Sequence, residues 1–107
     1  MATEITMRDL LQATIDEGAS DLHVRAFMPP ELRIHGELVA IADEAFTAEE
    51  TRRLCNEIMT PEQVAEAESN GGTDFALAHE DGTRFRVSVF KERGRWGCVL
   101  RMIPSTL

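Results

Sequence analysis

The sequence predicts an α+β domain in which a largely antiparallel sheet is flanked by helices. Two observations support this class. Segments with helical spacing and N-cap signals occur beside short segments in which apolar and polar residues alternate. The last third of the chain holds three predicted strands joined by short turns, the connection typical of an antiparallel meander. At 107 residues the chain has the length of one domain, residues 1–107, with its own core.

Three helices are predicted, and each of them begins after a threonine. Thr6 precedes a helical apolar stripe and has Asp9 three residues later, which is the spacing of a capping box. Thr47 opens a second helix with acidic residues in its first turn. Thr60 opens the third, and Pro61 takes the first helical position, where proline is favoured. The segments that hold these helices together with their caps are residues 5–17, 47–59 and 60–70.

Six strands are predicted from period-two alternation. In the first, Leu22 and Val24 point to one face and Asp21 and His23 to the other. A pair of prolines then ends the strand, because proline cannot donate to a hydrogen-bond ladder. Gly36 allows a tight turn between the next two strands. The predicted strands lie within residues 20–24, 31–41 (two strands about a turn), 73–80, 84–91 and 96–103.

The closing hairpin has a register that its own pattern favours. With Arg93 and Gly94 at the centre of the turn, most apolar residues of both strands fall on one face. A slip of one residue would set Arg86 opposite Leu100 and mix the two faces, so the first register is preferred. That register places Arg86 directly opposite Arg101, with β-carbons about 5 Å apart.

The arginine pair, Arg86 and Arg101, is unusual because the chain is acidic, with a formal net charge of −8. Like charges at this spacing repel, so the pair predicts a negative partner. That partner is a carboxylate of this chain, another molecule, or a phosphate, which guanidinium groups bind in bidentate fashion. The alternative is that both side chains reach solvent or bridge to an acidic helix such as the third.

The charge is distributed unevenly along the chain. Residues 1–70 hold five arginines and fifteen acids, whereas residues 71–107 hold six basic residues and four acids. The acidic total argues against a nucleic acid as partner, because the field of the protein repels phosphate backbones. It leaves room for a local anion site in the basic C-terminal third.

Other polar residues carry weaker signals. Asp21 and His23 share a strand face, but no nucleophile accompanies them in the sequence, so a structural or interface pair is the preferred interpretation. Trp96 opposite Lys91 predicts either a surface cation–π pair or an anchor against another domain. The remaining histidines are isolated, and no metal site is predicted.

Two blocks of the chain carry more specific motifs. The block GASDLHVRAFMPPELRIHGEL, residues 18–38, holds a Ser-Asp-Leu-His strand, a proline pair and Leu-Arg-x-x-Gly-Glu-Leu. The second block, residues 83–105, runs from Arg-Phe-Arg-Val through a glycine turn to Leu-Arg-x-Ile-Pro. Together, and in this order, they resemble the N-terminal domain of PilT-type twitching-motility ATPases of the secretion ATPase superfamily. Ser88 stands where that family commonly has asparagine.

The resemblance implies a PAS-like N-terminal domain of a hexameric type IV pilus retraction motor. In the family a RecA-like ATPase domain follows, and ATP with Mg²⁺ lies between the two domains. The resemblance therefore implies that Arg86 and Arg101 contact ATP phosphates, on the RecA-like domain of the same or a neighbouring subunit. It also implies a cytoplasmic protein, peripheral to the inner membrane and its pilus machinery. The candidate interface residues are Asp21, His23, Arg93, Arg95 and Trp96.

The sequence departs from complete motors in one respect. It contains neither a GxxxxGK[ST] loop nor a Walker B acid, so this chain alone is expected to hold no cofactor and to hydrolyse no ATP. We expect it to be an excised N-terminal domain rather than a natural truncated product. The alternative function is a stand-alone PAS-like module that binds a ligand or a protein.

Overall fold

The computed structural model describes residues 4–104, which form three helices and six strands. The helices are α1 (Met7–Asp16), α2 (Ala48–Glu57) and α3 (Pro61–Asn70). The strands are β1 (Asp21–Val24), β2 (Glu31–Ile34), β3 (Glu37–Ala40), β4 (Gly72–Ala78), β5 (Arg84–Glu92) and β6 (Arg95–Ile103). All six strands form one antiparallel sheet in the order β3-β2-β1-β6-β5-β4. The predicted α+β class is confirmed.

The predicted threonine caps are all present. Each threonine side chain accepts a hydrogen bond from the backbone three residues later, and each helix has a complete capping box. Helix α2 ends at Glu57, two residues before the predicted end. The reason is Thr60, which caps α3 in an extended conformation, so the chain must leave the helical conformation before it. Gly71, with φ of 80°, ends α3 in the left-handed region.

The helices cover one face of the sheet, where α2 packs on β6, α3 on β4 and β5, and α1 on β1. The alternation along β5 shows the two faces, because Phe85, Val87 and Val89 are buried while Arg86 and Ser88 are exposed. The core between the layers contains Met7, Leu10, Leu11, Leu22, Val24, Leu32, Leu54, Cys55, Ala67, Phe85, Val87, Val89, Cys98 and Leu100. We call the opposite side of the sheet the open face.

The two halves of the sheet join at the pairing of β1 with β6. This pairing sets Asp21 opposite Arg101 and His23 opposite Val99. The sequence analysis predicted both strands but not their adjacency. The hairpin register of β5 and β6 is confirmed, because Arg86 lies opposite Arg101. Within residues 4–104, no helix is long and apolar enough to cross a membrane.

Candidate functional site

A row of charged side chains crosses the open face. Strand register aligns Arg33 of β2, Asp21 of β1, Arg101 of β6 and Arg86 of β5 in successive positions. On its far side Arg86 faces Ala76 of β4. Adjacent strands lie about 4.8 Å apart, so each charge is within reach of the next. The row reads positive, negative, positive, positive, and Arg86 ends it with no acid beside it in the row.

Asp21 is the acid that contacts the arginine pair. Its Oδ2 lies 3.6 Å from Arg101 Nη2, and its side chain is 7% exposed against 74% for Arg101. A direct charge-assisted hydrogen bond would be about 2.8 Å long, so this contact is loose and leaves the Arg101 donors facing solvent. Of the partners predicted for the pair, a carboxylate of this chain is therefore present for Arg101. Among residues 4–104, Arg86 forms no ion pair within 4.0 Å.

The third helix does not supply the predicted bridge to the arginine pair. Its Glu68 instead contacts Lys91, with 3.1 Å between the Lys91 Nζ and the carboxylate. Both arginines project from the open face, whereas α3 packs on the other side of the sheet. The alternative in which both arginines bridge to α3 is wrong for the described residues.

Both members of the arginine pair line a shallow cavity of about 240 Å³. It is lined by Asp21, Asp74, Arg86, Val87, Ser88, Val99 and Arg101. Two guanidinium groups and two carboxylates thus share this cavity, and their formal charges balance. An anion that enters must compete with the carboxylates, so the cavity alone is not a closed phosphate cradle.

His23 lies in the next row of the open face, between Glu31 of β2 and Val99 of β6. Burial, and after it the charge of Arg25, lowers the pKa of His23, which favours the neutral ring. Its Nε2 has no hydrogen-bond partner among residues 4–104. Ser88 occupies the same row but two strands away, roughly 10 Å, which is too far for a nucleophile–base contact. A structural or interface pair remains the preferred interpretation of Asp21 and His23.

The predicted interface residues near the turn of the β5–β6 hairpin lie apart from the arginine pair. Arg95 is six positions from Arg101 on β6, or about 20 Å. The predicted cation–π pair is present, with Lys91 Nζ 5.6 Å from the Trp96 ring centroid. However, Trp96 is only 3% exposed, so it is not a surface residue of this domain. The structure thus brings Asp21 to the arginine pair and places His23 in the adjacent row, whereas Arg93, Arg95 and Trp96 lie elsewhere.

Phe27 is a feature that the sequence analysis missed. Its side chain is 59% exposed, and its φ of 68° is unusual for an aromatic residue. The guanidinium of Arg95 lies 5.0 Å from its ring centroid. An aromatic residue just before a proline pair was the only sequence signal, and it does not distinguish an exposed ring from a buried one.

The fold described above, a six-stranded antiparallel sheet with helices on one face, is found in a solved pilus motor. The crystal structure of the pilus retraction motor PilT with bound ADP superposes with a TM-score of 0.90 at 29% identity. That match covers 97% of this chain and 31% of the PilT chain. The fold class is therefore that of a domain within a nucleotide-binding pilus motor.

Sequence comparisons lead to the same class of protein. The type IV pilus retraction ATPase PilT of Pseudomonas aeruginosa is 34% identical over 97 residues, which is 91% of this chain and 28% of PilT. The type IV pilus ATPase PilU of the same organism is 31% identical over 98 residues, or 92% of this chain and 26% of PilU. No protein-family model matches the sequence.

The chain has the sequence and fold of the N-terminal domain of PilT-type secretion ATPases, which confirms the resemblance of the two motif blocks. It spans between a quarter and a third of the length of these relatives.

Proposed function

We propose that this chain acts as the N-terminal domain of a type IV pilus retraction motor, with the arginine pair directed at ATP phosphates. In this proposal a RecA-like domain of the same or a neighbouring subunit holds ATP and its Mg²⁺. The motor is a homohexamer in the cytoplasm, bound to the pilus machinery at the inner membrane. Hydrolysis is coupled to retraction through contacts that the arginines make and release.

The observation that carries the proposal is the position of Arg86. It faces a like charge on β6 and a methyl group on β4, and it has no acidic contact among residues 4–104. Such a placement is unfavourable for an isolated sheet. It becomes favourable when a polyphosphate approaches the open face, since two adjacent guanidinium groups match the charge and geometry of phosphate oxygens.

Arginine contacts of this kind act on the transition state of phosphoryl transfer. Negative charge on the transferring group and the leaving oxygen is stabilised by fixed positive groups, and such contacts contribute strongly to turnover. A domain that lacks the phosphate-binding loop contributes to catalysis only when another domain presents the nucleotide. This is consistent with relatives that are three to four times longer than this chain.

The test uses the complete protein that the gene encodes. We expect Arg86→Ala to lower the kcat for ATP hydrolysis by at least about 10²-fold, as for other groups that stabilise transition-state charge. Arg52→Ala is the matched control, because Arg52 is an exposed arginine on α2, on the other side of the sheet. We expect the control to retain the unsubstituted kcat. Equal turnover in both variants would refute the role of the arginine pair.

A stand-alone binding module is the second candidate function. Its supporting observation is an open groove of about 430 Å³ between α1, the end of α2 and β4. Apolar side chains line it from α1, from the connection after α2 and from β4, among them Leu11, Met59 and Leu77. This function predicts saturable binding of a small apolar ligand by the 107-residue chain, which isothermal titration would detect.

A further inference from the structure

Asp21 is a nearly buried carboxylate placed between two arginines. Its cross-strand neighbours are Arg33 on one side and Arg101 on the other. A carboxylate removed from water is costly unless other groups compensate its charge. Its position in the sheet therefore requires a positive partner, and the two arginines are the candidates.

Arg33 is engaged elsewhere. Its Nη1 donates a hydrogen bond of 2.8 Å to the carbonyl oxygen of Gly36, in the turn between β2 and β3. Within residues 4–104 the only ion pair of Asp21 is the contact of 3.6 Å with Arg101. The carboxylate therefore acts mainly on Arg101.

The two members of the arginine pair consequently have different surroundings. Arg101 has Asp21 on one side and Arg86 on the other, whereas Arg86 has Arg101 and Ala76. An anion that approaches Arg86 breaks no ion pair of the described residues, although it meets the carboxylate of Asp74, which lines the same cavity without an ion pair to Arg86. An anion that approaches Arg101 competes with Asp21 for the same guanidinium group.

We infer that Asp21 is a positioning residue that holds Arg101 and makes the two arginines unequal toward phosphate. This inference rests on the proposed function of the pair. Arg86 binds phosphate oxygens directly, while Arg101 turns to phosphate by giving up its contact with Asp21. The loose geometry of that contact, 3.6 Å on a side chain that is 74% exposed, allows this exchange.

The expected effect on catalysis follows from differential binding. The charge of Asp21 weakens the attraction of ground-state phosphate for Arg101. Before ATP binds, the same contact holds the guanidinium beside Arg86, so that Arg101 needs little reorientation to reach the charge that develops in the transition state. Asp21→Asn removes the charge that competes with phosphate, and it also removes the contact that orients the Arg101 guanidinium. We therefore expect a lower KM for ATP, by about fivefold, together with a kcat about tenfold lower. A purely structural role would reduce the amount of active protein and leave KM unchanged.

The first experiment tests the contact in the 107-residue chain, without ATP. The Nε–Hε resonances of Arg86 and Arg101 are assigned by NMR and compared in Asp21→Asn and Asp43→Asn. Asp43 is an exposed acid in the connection from β3 to α2, so its variant removes one charge away from the open face. We expect Asp21→Asn to shift the Arg101 resonance and Asp43→Asn to leave it in place. An Arg101 resonance that is the same in both variants would overturn the inference.

A salt titration of the unsubstituted chain serves if Asp21→Asn does not fold. Between about 0.05 and 1 M salt the Debye length falls from more than 10 Å to about 3 Å, which weakens an exposed ion pair. The Arg101 resonance should then move further than that of Arg52, which has no ion pair among residues 4–104. Equal movement of the two would contradict the contact.

The second experiment measures ATP turnover in the complete protein, with Asp21→Glu as the variant that keeps the charge. The expected result is a lower KM and kcat in Asp21→Asn and a KM near that of the unsubstituted protein in Asp21→Glu. An unchanged KM in Asp21→Asn, with Arg86→Ala still impaired, would overturn the role of Asp21 alone. Unchanged turnover in Arg86→Ala would instead refute the function of the whole pair.

Discussion

Replacing Arg86 with glutamine is expected to make the 107-residue chain more stable. The reason is that Arg86 and Arg101 are directly opposed on adjacent strands, and Arg86 has no acidic contact among residues 4–104. Glutamine keeps a similar aliphatic stem and removes the charge, so packing along the sheet changes little. A residue that destabilises its own domain is typical of a functional site.

The size of the gain follows from the geometry. Opposed β-carbons lie about 5 Å apart, and flexible guanidinium groups relax to a separation of roughly 6 Å or more. Two unit charges at that distance in water repel by about 0.7 kcal/mol. The side chain of Arg101 is 74% exposed and Asp21 offsets part of its charge. We therefore expect a gain of about 0.5 kcal/mol in the free energy of unfolding.

Urea unfolding followed by circular dichroism measures this gain. The comparison is made for Arg86→Gln and for the control Arg52→Gln at low salt and at about 1 M salt, where the Debye length is about 3 Å. We expect Arg86→Gln to raise the unfolding midpoint at low salt and to lose most of that gain at high salt. A midpoint at low salt below that of the unsubstituted chain would refute the argument that the pair is unfavourable.

Two further variants test other parts of the structure. Gly97→Ala would place its β-carbon 2.6 Å from Cε1 of the Phe90 ring and 3.0 Å from the Val24 carbonyl oxygen. The ring can move but the backbone oxygen cannot, so we expect a loss of about 1–3 kcal/mol in unfolding free energy, and an unchanged urea midpoint would contradict this. The pKa of His23 lies below its ordinary value because of burial and Arg25, so the unfolded chain takes up a proton first as the pH falls through about 6.5. Stability should therefore decline from pH 7 to pH 5, and His23→Gln should reduce that decline, whereas equal slopes would show that His23 does not cause it.

The helix starts and the closing hairpin could be predicted from sequence because the interactions that determine them are local. A capping box involves residues three apart, and Thr6 with Asp9 forms one in the structure as it does in the sequence. The register that opposes Arg86 to Arg101 depends on one short turn and on which residues share a face. The end of α2 was predicted less well. Thr60 is the N-cap of α3 and needs an extended backbone, so the two residues before it cannot continue α2.

The partner of the arginine pair could not be predicted in the same way. Asp21 and Arg101 are eighty positions apart, and they meet only because β1 pairs with β6 at the centre of the sheet. In β1, Leu22 and Val24 lie on one face, and that face could be buried with any of several strands as its neighbour. The alternation of apolar and polar residues does not specify which strand pairs with it. The exposed ring of Phe27 is a similar case, since its environment depends on Arg95 of another strand.

The sequence by itself therefore determined the class of the domain, its helix caps and the two opposed arginines, because each depends on neighbours along the chain or across one short turn. Only the tertiary structure decided that the arginines are unequal. It placed Asp21 beside Arg101 and Ala76 beside Arg86. Both placements follow from the order of the strands in a sheet that carries three helices on one face. The charge environment of the candidate site depends on that strand order, which no local pattern specifies.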